Sequence, residues 1–311
     1  IVGDPTKVYD GGLAASLAGN NYSISTGIAG QGFTITQAVG SYNSPDVFSA
    51  NTVTASLAAS DFTATGGALA SDYALPTSAG GAGTITPKSL TASIVGDPTK
   101  VYDGGLTASL AGNNYSISTG IAGQGFTITQ TVGSYNSPDV FSANTVTASL
   151  AASDFTATGG ALANDYALPT SAGGAGTITP ATLTITANNA GKTFNLLPYY
   201  GGNGVAFSGF VNNENSSVLS GSLGYGGDSQ GAVYPGAYTI APSGLTSENY
   251  AITYEDGALT ISRLLGTPFI PTATDILPSD VTTPPADDVS EVSGGINTLL
   301  PGDVFTGANG D

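Results

Sequence analysis

Short runs in which apolar and polar residues alternate recur along the chain with a period of two. Val53-Thr-Ala55-Ser-Leu57 is the plainest, and it places Val53, Ala55 and Leu57 on one face of a strand. Tyr22-Ser-Ile24-Ser and Phe33-Thr-Ile35-Thr follow the same rule, and Lys7–Asp10 predicts a strand ending in the turn Asp10-Gly11-Gly12. Asn20-Asn21 and Asn43-Ser44-Pro45-Asp46 carry turn chemistry, and Gly80-Gly81-Ala82-Gly83 predicts a sharp reversal before Thr84-Ile85-Thr86. No spacing of i, i+3, i+4, i+7 persists over three turns, so the predicted fold class is mostly β, with any helix short.

The pattern repeats at long range. Lys7-Val8-Tyr9-Asp10-Gly11 returns 93 residues later as Lys100-Val101-Tyr102-Asp103-Gly104. Residues 1–87 and 94–180 align without a gap and differ only at Ala14/Thr107, Ala38/Thr131 and Ser71/Asn164. That period exceeds solenoid units of about 20–50 residues, so each copy is expected to be a small domain with its own core. Residues 181–263 form a third module of similar length and different sequence. The expected domains are therefore 1–93, 94–180 and 181–263, followed by a Pro/Asp-rich linker or tail over 264–311, which holds six prolines, seven acids and no cation. Thr84-Ile85-Thr86-Pro87 runs through Leu90–Ile94 into the second copy, and Ile178-Thr179-Pro180 runs into Leu183-Thr-Ile185-Thr, with no flexible polar tether at either junction. Tandem β-rich domains, sandwich-like or β-grasp-like, stacked end to end as an elongated rod with an irregular C-terminal tail are the expectation. Near-identical neighbours invite strand exchange, a cost that makes sense where the product is length and stiffness.

Composition sharpens this picture. Charged residues are only 9% of the chain against 45 glycines, a balance that suits Thr- and Ser-faced strands joined by Gly-rich turns. The net charge is −17, and the five cations are Lys7, Lys88, Lys100, Lys192 and Arg263. So few scattered cations cannot track a phosphate backbone, which excludes nucleic acid as a partner, and membrane insertion is not expected of this segment. The sequence has no Cys, His, Met or Trp. It starts at Ile1 without a signal-like segment, which predicts a piece of a longer protein.

Within this frame the residues resemble known repeat families. The Lys-Val-Tyr-Asp-Gly start and the Gly-Thr-Ile-Thr-Pro end, at Gly83–Pro87 and Gly176–Pro180, resemble the YDG repeat. In the third module Gly236-Ala-Tyr238-Thr-Ile240, Asn249-Tyr250-Ala-Ile252-Thr-Tyr254 and Gly257-Ala-Leu259-Thr-Ile261 resemble the MBG domain of the YGX type. Such repeats occur in exoproteins similar to filamentous haemagglutinins and biofilm matrix adhesins. The resemblance implies an extracellular or cell-surface location, an outer-membrane partner in two-partner secretion, and a stalk or adhesive role with exopolysaccharide or cell-surface glycans as partners.

The residues leave two readings of the chemistry. Tyr9-Asp10-Gly11 could stack on and hydrogen-bond a sugar, but turn chemistry accounts for each residue type. Tyr22, Tyr42, Tyr73 and their copies would be the stacking platforms of a dedicated carbohydrate-binding module. The first copy's acids, Asp4, Asp10, Asp46, Asp61 and Asp72, sit mostly in turns, and nothing in their spacing brings a glycosidase pair together. Without His or Cys the usual triads are impossible, so no enzyme and no cofactor are expected. Asp287-Asp288 with Glu291 is the densest acidic cluster, and it reads as a solvated tail rather than a calcium loop.

Overall fold

The computed structural model describes residues 1–264, and the expected tail with Asp287, Asp288 and Glu291 lies outside the described residues. Regular structure among them is almost all strand, and the helical segments are single 3-10 turns of three residues. That is the mostly β class read from the alternation. Each module is built from several small sheets.

The first module centres on an antiparallel sheet in the order Ala14–Ser16, Val39–Tyr42, Thr52–Ser56, Ser78–Ala82. Against it pack the antiparallel pair Gly32–Ile35 and Phe62–Thr65, and the parallel pair Thr6–Val8 and Thr84–Thr86. Thr52–Ser56 shows how alternation drives this: Val53, Ala55 and Leu57 are all buried while the intervening threonine and serine face water.

Gly80 and Gly81 correct an expectation. They do not reverse the chain but lie inside the strand Ser78–Ala82, paired with Thr54 and Val53. Glycine is needed because another backbone crosses here: a Cβ on Gly81 would come 2.1 Å from the Ile1 carbonyl oxygen.

The second module repeats this sheet and enlarges it to six strands by adding Ala92–Ile94 and Tyr115–Ile117. The expected strand at Tyr22 forms only in the second copy, because Ala92–Ile94 pairs with Tyr115–Ile117 there. Residues 88–93, expected to close the first domain, pair instead with the second. Lys88–Ser89 runs parallel to Tyr166–Ala167, and Ala92 and Ser93 pair with Ala172 and Gly173. Pro87 ends one module and the next strand already belongs to its neighbour.

The third module has two sheets, Val205–Ser208, Ala181–Ala187, Tyr250–Glu255 and Ala190–Thr193, Gly257–Ser262, Gly236–Thr246, Ser220–Gly226. Its first strand lies parallel to Tyr250–Glu255, the same relation that Lys88–Ser89 has to Tyr166–Ala167.

The cores do not stop at module boundaries. Tyr9, Tyr42, Val53 and Ile85 share a buried cluster with Phe126, Ala161 and Tyr166 of the second copy. Tyr102, Tyr135, Val146 and Ile178 share the next with Leu183, Ile185 and Tyr250 of the third module. Each copy was expected to own its core; in the structure each core continues onto the neighbouring module.

Candidate functional site at the module joints

The five-residue repeat motif builds one local device twice. Lys7 lies on the parallel strand beside Ile85, and its ammonium reaches forward to Asp10 Oδ1 at 2.6 Å and to the Gly12 carbonyl at 2.6 Å. Asp10 Oδ1 also accepts from the Gly12 backbone amide at 2.9 Å, and Gly11 takes the left-handed conformation at φ 75° that lets the chain turn so tightly. The hydrogen bond from Lys7 holds the Asp10 carboxyl below its ordinary pKa, and Asp103 is lowered the same way by Lys100. Lys7 also sits 5.4 Å above the Tyr42 ring. Asp10 and Gly11 are turn residues. Tyr9, just before this turn, belongs to the buried cluster that spans both modules.

Its destination is the next module. Tyr9 is 3% exposed and meets Tyr166 edge to face, with ring centroids 5.3 Å apart. The Gln124 side-chain amide donates to the Tyr9 hydroxyl at 2.8 Å and accepts from the Tyr166 hydroxyl. Phe126 packs edge-on against Tyr166 at 5.3 Å. A second polar link runs from the Val47 backbone amide to Asp165 Oδ1 at 2.8 Å, and Asp165 is 1% exposed.

The joint between the second and third modules repeats each part with different chemistry. Tyr102 meets Tyr250 edge to face at 5.4 Å, and Phe210 backs Tyr250 as Phe126 backs Tyr166. Val140 donates to Asn249 Oδ1 at 2.9 Å, where Val47 uses Asp165. Glu214 replaces Gln124: its carboxylate accepts from the Tyr102 hydroxyl at 2.7 Å and from the Tyr250 hydroxyl at 2.6 Å. Burial, and then this carboxylate, push the Tyr102 phenol well above its ordinary 10.0, and Tyr250 is raised for the same reasons. At the first joint burial also raises Tyr9, but the Gln124 hydrogen bond opposes the shift.

The other candidates separate. Tyr42 is buried with its hydroxyl on the Pro5 carbonyl at 2.9 Å, Tyr22 donates to the Gln37 carbonyl at 2.9 Å, and Tyr73 donates to Gln31. They are packing residues, not exposed platforms. The acids serve separate turns: Asp4 accepts from Thr84 Oγ1, Asp61 caps a 3-10 turn by accepting from the Ala58 amide at 2.8 Å, and Asp72 accepts from Ser71. Asp46 lines a crevice with Phe48 at the first joint. Among the described residues no three acids gather as a metal site would require, and no helix is long and apolar enough to cross a membrane.

Gln124, Asp165, Glu214 and Asn249 are the joint residues that sequence reasoning missed. One signal was present: Asp165-Tyr-Ala and Asn249-Tyr-Ala stand at matching places in two otherwise dissimilar modules.

Comparison with known proteins follows the same division. The family model of the YDG domain matches residues 1–80 and 86–173, and that of the MBG domain (YGX type) matches residues 183–260. No curated protein matches the chain. Among solved structures, Drosophila N-cadherin EC1-3 aligns with 83% of this chain and 97% of its own, at 8% identity and a TM-score of 0.20. The second YDG match opens at residue 86, close to where the strand pairing begins the second module. The chain belongs to the YDG-domain family, with two YDG domains followed by an MBG domain of the YGX type.

Proposed function

We propose that this chain is a stiff stalk segment of a large secreted bacterial surface adhesin, exported by two-partner secretion, which holds adhesive regions away from the cell during cell–cell or cell–matrix attachment in a biofilm. One observation carries this reading: the same buried tyrosine clasp closes both joints, although the third module differs in sequence from the first two. A joint with two buried rings, a shared polar acceptor and a strand that starts directly after Pro87 or Pro180 resists bending far better than a tether. In this reading the segment does no catalysis and needs no cofactor.

A second reading, glycan binding by the modules themselves, draws on Phe48 and Phe141, which are 87% and 83% exposed and recur at the two joints. Repeated weak contacts at such rings would act through avidity. Small-angle scattering of the full chain, run beside a glycan array, tests the pair. A radius of gyration well above the roughly 20 Å of a compact chain of this length, with no array hits, fits the stalk. A compact or flexible particle that binds defined sugars overturns it.

A further inference from the structure

The second copy's joint residues have counterparts in the first copy with nothing seated on them. Gln31, Phe33, Asp72 and Tyr73 repeat Gln124, Phe126, Asp165 and Tyr166. Half of the clasp is already assembled: the Tyr73 hydroxyl donates to Gln31, and Phe33 meets Tyr73 edge to face at 5.3 Å, as Phe126 meets Tyr166. The Gln31 amide nitrogen, whose counterpart donates to Tyr9, has no partner among the described residues. Asp72 is exposed where Asp165 is 1% exposed, Tyr73 is half-buried where Tyr166 is buried, and Thr26 is half-buried where Thr119 is 3% exposed. Ile28 is 53% exposed, while Ile121 is partly covered and lies against Gly11 of the neighbouring module. Backbone groups are open too: Tyr166–Ala167 pairs with Lys88–Ser89, but Tyr73-Ala74 has no strand beside it among the described residues.

We infer that this face of the first module is a socket for one more YDG-type module, which docks by inserting the tyrosine of its own Lys-Val-Tyr-Asp-Gly turn against Tyr73, Gln31 and Phe33 and by laying the strand after its closing proline beside Tyr73-Ala74. The occupant is specified by the filled copy of the same residues, where each of those contacts is made. The inference rests on the reading of the joints as built couplings and is independent of any adhesive role.

The chain has no cysteine, so a single introduced thiol reports its own exposure. The test compares the full chain carrying Asp72→Cys with the same chain preceded by an added copy of residues 1–93, which recreates the junction found at residue 94. Thiol labelling is expected to slow by roughly tenfold or more in the extended chain, and to recover when the added tyrosine is changed to alanine. Ile28→Cys is the second reporter, should the first disturb the fold. Unchanged labelling in an extended chain whose circular dichroism shows the added module folded overturns the inference. Asp165→Cys in the unextended chain separates the two levels: if it labels as fast as Asp72→Cys, the coupling reading itself falls, and the socket with it.

Discussion

At the scale of residues, the two joints are natural variants of one design, and each suggests a substitution in the other. Asp165 buries a carboxylate whose Oδ2 has no partner, whereas Asn249 at the same place donates its amide to Asp139 Oδ1 at 3.0 Å. Asp46 is the counterpart of Asp139 and lines the same crevice as Asp165. Asp165→Asn therefore keeps the acceptor for Val47, gives the orphaned side a donor and removes one of two neighbouring negative charges. It should stabilise the chain by about 1–2 kcal/mol, read as a higher urea midpoint at unchanged slope. In the second joint the proton on Tyr102 is held by burial and by Glu214. Its folded pKa lies above the unfolded value of 10.0, so its contribution to stability is complete below pH 10 and is lost as pH rises beyond it. Glu214→Gln copies the first joint, keeps one acceptor for a hydroxyl and removes the charge. The variant should match the parent within about 1 kcal/mol near neutrality and lose less stability above pH 10. Melting followed against pH, with phenolate absorbance recorded alongside, checks the sign. A variant that melts earlier than the parent in alkali would rule out this account of Glu214.

At the scale of elements, period-two alternation was enough to place the strands whose one face is buried, Thr52–Ser56 and Gly32–Ile35 among them. It was silent on strands rich in small residues. Val39–Tyr42 hides Gly40 at an inward position, and Ser78–Ala82 carries two glycines, so neither shows the contrast that periodicity detects. Gly80-Gly81 looked like a turn because glycine serves both turns and close backbone crossings, and only tertiary structure separates the two uses. The joints were illegible for a different reason. Tyr9 and Gln124 meet across 115 residues, and a buried tyrosine that closes a neighbour's core has the same local sequence as one that closes its own. The crossing itself makes a sharp prediction. A Cβ on Gly174 would lie 2.0 Å from the Ile94 carbonyl oxygen, while one on Gly173 would meet nothing nearer than Thr147 Cγ2 at 3.6 Å. Gly174→Ala should cost about 1–3 kcal/mol by forcing Ala92–Ile94 off the sheet, and Gly173→Ala should stay within about 0.5 kcal/mol of the parent. Equal melting temperatures for the two variants would show that the incoming strand does not depend on this approach.

At the scale of the whole described chain, cores that continue across joints couple the stabilities of modules that are nearly the same in sequence. In such an array stability is approximately the sum of an intrinsic term for each module and a term for each interface. The first two modules differ at three positions, yet the first contributes to one joint and the second to two. Differences in side chains are therefore almost cancelled between them, and what remains is the interface, together with the junction strand Ala92–Ile94 that enlarges the second module's sheet. Tyr9→Ala tests that term directly. It deletes the ring from a site 3% exposed, removes the edge-to-face partner of Tyr166 and leaves the Gln124 amide without its acceptor. The loss should be about 3–5 kcal/mol, and it should fall on the coupling as well as on the first module. Calorimetry is then expected to show the first module unfolding ahead of the rest, as a separate lower transition, while the Tyr102 joint and the third module keep the parent's melting temperature. Tyr9→Phe, which keeps the ring and removes only the hydroxyl, should cost about 1 kcal/mol and leave the transitions joined. A uniform downward shift of one unsplit transition in Tyr9→Ala would mean that the modules are held together chiefly by their junction strands, Lys88–Ser89 and Ala181–Ala187, and that the tyrosine fills space without coupling them.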